Sequence, residues 1–235
     1  MVCAQMGDLL LVILLSPILV LQVIWVRLRA ARLQEAAGPR QGSAGQGPKL
    51  RVLVLGDSSG AGVGVATQDM ALAGRLVARL ASCYHVEWQL EAHCGDTTTT
   101  LLSRLNAMPD ARFDLAVIAI GVNDVKNGMT RATWQRNYRT IIQTLTSRFE
   151  VQNIYASGVP PLGQFPLLPN PLRNLLGRRA DAFDHDLHEI IAETDALCYV
   201  PMDFPDDPGL MAKDGFHPGP KVYDAWAARV ATLIL

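Results

Sequence analysis

The chain has 235 residues, of which 49% are hydrophobic, and a formal net charge of −1. This length is sufficient for one globular domain with a substantial core and a short additional segment. The near-neutral charge argues against a nucleic-acid-binding surface, which requires a basic footprint. The four cysteines, Cys3, Cys83, Cys94 and Cys198, show neither a C-x-x-C pair nor metal-ligand spacing, so we expect no metal site, although a Cys83–Cys94 bridge stays open.

The amino-terminal segment is the most apolar part of the chain. Only three residues interrupt the apolar run between Leu9 and Val26, which is long enough to cross a bilayer. A cleaved signal peptide is disfavoured because it needs a positive charge before the run, where Asp8 is the only charged side chain. A buried core helix is disfavoured because the run has no polar face. We therefore predict a single-pass membrane anchor in residues 1–33.

Cationic residues follow this segment but do not precede it. Arg27, Arg29 and Arg32 all lie within six residues of its end. Because Lys and Arg in short flanking segments favour the cytoplasmic side, we expect the rest of the chain to face the cytoplasm. The absence of clustered cysteines agrees with a reducing compartment.

Residues 34–49 are rich in Gly, Pro, Ser and Gln and predict a flexible linker. From there to the end, over residues 50–235, apolar runs alternate with helical patterns. The runs that predict strands are 50–56, 85–93, 113–121, 153–159 and 196–202, and the predicted helices are 68–82, 101–107, 130–148, 172–195 and 219–235. This alternation predicts an α/β domain with a five-stranded parallel sheet.

Four polar blocks lie after predicted strands or just before the final helix. They are Gly56–Ser58, Gly95–Thr98, Gly121–Asp124 and Asp214–Pro218. In open α/β sheets, ligands bind beyond the carboxyl ends of the strands, so we expect these blocks to converge on one site.

Three side chains in these blocks are suited to nucleophilic catalysis. A serine hydroxyl such as that of Ser58 needs a base near neutral pH, and His217 can supply it. Asp214, three residues earlier, can fix the histidine tautomer and stabilise the imidazolium. Each has a simpler alternative, since Ser58 could cap a helix and a D-x-x-H sequence is usually a surface turn.

Acyl transfer also needs hydrogen-bond donors for the developing oxyanion. The N–H groups of Ser58 and Gly95 and the side-chain amide of Asn123 could provide them. The alternatives are an Asx turn for Asn123 and a tight bend for Gly95.

With these blocks in this order, residues 50–235 resemble the SGNH or GDSL hydrolases. The resemblance implies a flavodoxin-like three-layer α/β/α sandwich and hydrolysis of carboxylic esters through an acyl-enzyme, without metal or cofactor. It implies Ser58 as nucleophile, His217 as base and Asp214 as acid, with Ser58, Gly95 and Asn123 forming the oxyanion hole. Where the family commonly has Leu after the nucleophile, this chain has Ser59, which leaves a rival nucleophile. Many such hydrolases are exported, so a periplasmic or extracellular domain stays open.

The loop from Val159 to Leu168 is rich in proline and apolar residues. It predicts a substrate-facing wall that includes Val159, Phe165 and Leu167, with packing into the core as the alternative. An apolar wall favours an acyl chain over a sugar. Within the family, the chain resembles microbial esterases and lysophospholipases, which implies an acyl ester or a lysophospholipid-like substrate.

The sequence leaves three alternatives to an acyl-ester hydrolase. A carbohydrate O-deacetylase would share the four blocks, and a non-catalytic membrane-tethered binding protein would share the fold. A nucleotide-binding module is suggested by Gly60, Gly62 and Gly64, but the spacing is one residue short of G-x-G-x-x-G and no lysine follows.

Overall fold

The computed structural model describes the backbone of residues 2–205 and 207–235, and side chains from residue 15 onward in these ranges. The helices are α1 (Val2–Arg29), α2 (Leu72–Leu80), α3 (Thr98–Ala107), α4 (Val122–Lys126), α5 (Arg131–Ser147), α6 (Leu172–Ile191) and α7 (Pro220–Ile234). The strands are β1 (Gln41–Ala44), β2 (Lys49–Gly56), β3 (His85–Ala92), β4 (Leu115–Ala119), β5 (Asn153–Ser157) and β6 (Leu197–Val200). Short 3-10 helices lie at Gln68–Met70, Leu162–Gln164 and Pro208–Leu210.

The six strands form one sheet in the order β1-β3-β2-β4-β5-β6. All neighbours from β3 to β6 are parallel, and they are the five strands that the apolar runs predict. If these five strands are numbered along the chain, their order across the sheet is 2-1-3-4-5. This is the flavodoxin-like order, in which ligands bind outside the carboxyl ends of the strands.

The sixth strand corrects the prediction of a purely parallel, five-stranded sheet. β1 pairs antiparallel with the outer edge of β3, and it lies within 34–49, whose composition indicates a flexible linker. The edge of β3 presents unpaired N–H and C=O groups, which an extended backbone of almost any sequence can bond. Neighbouring contacts hold this segment too: Arg40 donates to the Ala92 carbonyl, and Glu35 accepts the Cys94 N–H at 2.7 Å.

Strand β2 runs through the middle of the sheet. Val52 and Val54 face the layer of α2 and α7, whereas Leu53 and Leu55 face the layer of α3, α5 and α6. All four side chains are fully buried, because successive residues of a strand point to opposite faces. At the end of β2, a Cβ on Gly56 would lie 2.5 Å from the Ala119 carbonyl oxygen, so only glycine fits there.

Helix α1 lies against the domain along one stripe of its described part. Leu19 and Val26 pack on the core, and Gln22 bonds the start of α6, accepting the Leu172 N–H at 3.0 Å and donating to the Asn170 carbonyl at 2.5 Å. Among the residues whose side chains the structure describes, no helix is long and apolar enough to cross a membrane. Much of the predicted anchor lies in residues 1–14, whose side chains are outside the described part, so the anchor stays a prediction.

Candidate active site

The turn after β2 holds Ser58 at the carboxyl edge of the sheet. The Asp57 N–H donates to the Ala119 carbonyl at 3.0 Å, and Asp57 Oδ1 accepts the Ser59 N–H at 2.9 Å. The Ser58 carbonyl accepts the Val63 N–H at 3.0 Å and closes the turn. Asp57 is therefore a buried structural group, and Ser58 is the side chain that the turn presents.

Ser58, His217 and Asp214 lie in one hydrogen-bonded row. His217 Nε2 is 2.9 Å from Ser58 Oγ, and His217 Nδ1 is 2.5 Å from Asp214 Oδ2. The other carboxylate oxygen of Asp214 accepts the backbone N–H groups of Phe216 and His217, each at 3.0 Å. The carboxylate thus orients both the ring of His217 and the loop that carries it, which is the arrangement that activation of a serine requires.

The environment of Asp214 keeps its carboxyl ionised. Burial alone raises the pKa of Asp214, but the hydrogen bonds from the His217 ring and from the two backbone N–H groups together outweigh burial. The net result is a pKa below its usual value. At neutral pH Asp214 is therefore an acceptor, and the Nδ1 of His217 carries a hydrogen while Nε2 faces Ser58.

The three predicted oxyanion donors are available for a ligand. In the described structure, the N–H groups of Ser58 and Gly95 make no hydrogen bond. Gly95 has a φ of 85°, and open space lies where its Cβ would be, so a substrate can approach its backbone. Asn123 is buried and donates one amide hydrogen to the Asp96 carbonyl at 2.9 Å, which leaves its second amide hydrogen free.

A buried group of hydrogen bonds, which sequence reasoning missed, joins the Gly95–Thr98 and Gly121–Asp124 blocks. It consists of Thr98, Asp124 and Asn137, and we call it the staple. Asp124 is fully buried and accepts the Thr98 hydroxyl at 2.6 Å and the Thr98 N–H at 3.0 Å. Asn137, on α5, donates to the same hydroxyl at 3.2 Å. These bonds set the spacing between the loops that carry two of the donor groups.

An apolar cavity adjoins Ser58. The space it encloses, including the part open to solvent, is about 930 Å³. Its apolar wall comes from the loop after β5, the segment after β6 and helix α7, with Pro160, Phe165, Met202, Phe204, Leu210, Val222 and Trp226. The segment after β6 is proline-rich like the loop after β5, but its three aspartates obscure the apolar signal that Met202, Phe204 and Leu210 could have given.

The structure revises the predicted substrate wall. Phe165 lines the cavity, but Val159 and Leu167 do not. Val159 is buried in the core, because its N–H donates to Asp184 Oδ1 at 2.8 Å and turns its side chain towards Gly121. The Leu167 N–H donates to the Gly215 carbonyl at 3.1 Å, so this residue ties the loop to the turn that carries His217.

Two further features lie outside the site. Cys83, Cys94 and Cys198 are free thiols, so the Cys83–Cys94 bridge is not formed. Among the described residues, the one group of metal-ligating side chains is His185, Asp186 and Glu189 on α6. Asp186 in this group is fully buried and already accepts a hydrogen bond from Arg131 Nε at 2.8 Å, so its carboxylate is accounted for by this ion pair.

Known proteins share this architecture. The crystal structure of TesA is 26% identical, with a TM-score of 0.63 over 78% of this chain and 97% of that chain. The lipase Lip_vut3 from a goat rumen metagenome is 17% identical, with a TM-score of 0.64 over 78% of this chain and 96% of that chain. A carbohydrate esterase family 2 enzyme of Corynascus thermopiles is 13% identical, with a TM-score of 0.63 over 81% of this chain and 67% of that chain.

The similarities to Lip_vut3 and to the carbohydrate esterase, at 17% and 13% identity, concern the fold alone. No curated protein gave a sequence match. The model of the GDSL-like lipase/acylhydrolase family matches residues 54–225, a stretch that contains all four polar blocks. The chain therefore belongs to the GDSL-like lipase/acylhydrolase family of ester-cleaving hydrolases.

Proposed function

We propose that the protein hydrolyses acyl esters of medium or long chain, including lysophospholipid-like substrates, through an acyl-enzyme on Ser58. The observation that carries this proposal is the row from Asp214 through His217 to Ser58, which ends at the mouth of an apolar cavity. The row supplies an activated nucleophile, and the cavity supplies a place for the acyl chain.

The first half of the reaction forms the acyl-enzyme. His217 Nε2 takes the proton of Ser58 as the oxygen attacks the ester carbonyl, and Asp214 stabilises the imidazolium. The negative charge on the carbonyl oxygen is met by the N–H groups of Ser58 and Gly95 and by the amide of Asn123. When the intermediate collapses, His217 gives its proton to the departing alcohol.

The second half repeats these steps with water. His217 removes a proton from a water molecule, which attacks the acyl carbon, and the proton then returns to Ser58 as the acid departs. The protons are all carried by His217, and no step calls for a metal or cofactor.

The apolar wall determines which esters are favoured. Burial of one methylene contributes about 0.8 kcal/mol, which corresponds to roughly a fourfold gain in kcat/KM for each CH₂ that the cavity accepts. An acetyl group on a sugar would leave most of the accessible surface of Phe165 and Phe204 without a partner. A longer acyl chain covers it.

A series of p-nitrophenyl esters from acetate to laurate tests the proposal, with Ser58→Ala as the matched inactive variant. We expect kcat/KM to rise with chain length until the cavity is filled and then to level off. A maximum at acetate would favour the carbohydrate O-deacetylase instead. No hydrolysis of any ester by the folded protein would favour a non-catalytic binding protein.

We further infer that the amino-terminal helix anchors the protein at a membrane, with the catalytic domain on the cytoplasmic side. Described apolar side chains of α1 face solvent, among them Leu21 at 66% and Leu28 at 81% exposure, and a bilayer would cover them. Arg27, Arg29 and Arg32 after the apolar run favour the cytoplasmic orientation.

The orientation is tested in intact cells with a membrane-impermeant maleimide. Ser43→Cys, in a chain whose native cysteines are replaced, places one thiol at an exposed position of β1. We expect labelling only after the cells are lysed. Labelling of intact cells would place the domain outside.

A further inference from the structure

One polar side chain in the apolar run of α1 bonds the rest of the domain. Gln22 Oε1 accepts the Leu172 N–H at 3.0 Å, and Gln22 Nε2 donates to the Asn170 carbonyl at 2.5 Å. Leu19 and Val26, which lie on the same side of the helix, pack against the core. Gln22 is therefore the polar centre of the contact between α1 and the domain.

The Leu172 N–H is a group that α6 itself leaves without an acceptor. The first N–H groups of a helix have no intrahelical partner, and the side chain of the N-cap residue usually accepts one of them. The N-cap of α6 is Pro171, whose side chain has no acceptor. The amide of Gln22 takes its place from another helix, so the start of α6 depends on α1.

The first turn of α6 in turn holds the loop that forms part of the cavity wall. Arg173 donates through Nε to the Leu168 carbonyl at 2.5 Å and through Nη2 to the Pro166 carbonyl at 3.4 Å. Pro166 lines the cavity, and so does the neighbouring Phe165. The place of these two wall residues is therefore tied to the place at which α6 begins.

The same loop also contacts the turn that carries the catalytic histidine. The Leu167 N–H donates to the Gly215 carbonyl at 3.1 Å, and the Phe165 ring meets the Phe216 ring edge to face, with 5.2 Å between the ring centres. Phe216 is itself a cavity residue. A shift of the loop would therefore change the shape of the wall on both sides of Phe165.

We propose that Gln22 is a positioning residue for the acyl wall. By holding the start of α6 it fixes Phe165 and Pro166, and it thereby sets the preference for long acyl chains. This inference rests on the proposed function, because it concerns the selectivity of the same site. It gives α1 a part in substrate selection in addition to its proposed role as an anchor.

The test is Gln22→Met in the full chain, which removes both hydrogen bonds but keeps a long side chain with good helix propensity. Laurate and acetate p-nitrophenyl esters are compared in the same preparation, so any unfolded fraction cancels in the ratio of their kcat/KM values. We expect the laurate-to-acetate ratio to fall about four- to sixteenfold, which corresponds to one or two methylene groups left uncovered at roughly fourfold each. The loss should lie in the KM for laurate, because the wall binds the chain equally in the ground and transition states.

Leu21→Met is the matched control, since it introduces the same residue one position earlier, where the side chain is 66% exposed. Its ratio should equal that of the wild type. A ratio in Gln22→Met within twofold of the wild type would refute the positioning role. An equal fall in Leu21→Met would also refute it, because it would indicate a general effect of α1 on long-chain esters.

Amide hydrogen exchange tests the positioning without catalysis. We expect a peptide covering residues 165–173 to exchange faster in Gln22→Met than in the wild type or Leu21→Met, because the bonds of the Leu167 and Leu172 N–H groups open more often. Unchanged exchange in this peptide would overturn the role of Gln22. Failure of the folded wild type to hydrolyse any ester would instead refute the proposed function, whatever the exchange rates.

Discussion

Replacing Thr98 with Val removes one hydroxyl from the staple between two site loops and changes little else in size. In the wild type this hydroxyl donates to the fully buried carboxylate of Asp124 at 2.6 Å and accepts from Asn137 at 3.2 Å. A hydrogen bond to a charged group contributes about 1.5–3 kcal/mol, and Asn137 keeps a second acceptor in Thr99 at 2.9 Å. We therefore expect Thr98→Val to lower the free energy of unfolding by about 1.5–3 kcal/mol.

The loops that carry Gly95 and Asn123 should also lose their mutual spacing, so kcat should fall while the domain stays folded. Urea unfolding measures the first effect and ester hydrolysis the second. Thr99→Val is the matched control, because Thr99 is exposed on the same helix and bonds only Asn137 through its side-chain oxygen. A Thr98→Val variant within about 0.5 kcal/mol of Thr99→Val would refute the role of the staple.

Three further predictions concern the donors, the buried acid and the cavity. Asn123→Ala should lower kcat about 10²- to 10³-fold with little change in KM, and an unchanged kcat would remove Asn123 from the oxyanion hole. Burial raises the pKa of Asp57 to about 6, so the folded state holds this proton more tightly than the unfolded chain. The stabilisation that the protonated Asp57 carboxyl contributes is fully present below about pH 4 and is lost as the pH rises through about 6. Relative to Asp57→Asn, the wild type should therefore lose stability over this range in urea unfolding, by at most about 1.4 kcal/mol per pH unit, and a constant difference would contradict the raised pKa. Phe165→Ser should reduce kcat/KM for laurate more than for acetate, whereas Leu167→Ser, outside the cavity, should affect both esters alike; the reverse pattern would contradict the cavity wall.

The parallel strands and the meeting of the polar blocks could be predicted from the sequence. A central strand such as β2 is buried on both faces, so its apolar run is continuous and easy to identify. The carboxyl ends of parallel strands share one edge, which brings the loops that carry Ser58, Gly95 and Asn123 together. His217 lies in the loop before α7, and its place beside Ser58 was expected from the chemistry of its block and from the family resemblance.

The edge strand β1 could not be predicted in this way. Its side chains are mostly exposed, and its place is set by the open backbone edge of β3 rather than by its own composition. Helix α4 has only five residues and begins directly after Gly121, whose φ of 139° few other residues adopt. Such a short helix carries no periodic signal.

The cavity wall was predicted only in part, for a related reason. Composition indicates that a loop is apolar, but backbone hydrogen bonds decide which side chains face a cavity. The bond from the Val159 N–H to Asp184 turns Val159 into the core, whereas Phe165 faces the site.

The central claim is that Ser58 is the nucleophile and that His217 activates it. Fluorophosphonate labelling, followed by fragment mass spectrometry that separates Ser58 from Ser59, tests it most directly. We predict that the phosphonyl group lies on Ser58, that Ser58→Ala is not labelled, and that His217→Ala reacts at least about 100-fold more slowly. Labelling on Ser59, or wild-type labelling rates in His217→Ala, would contradict the account.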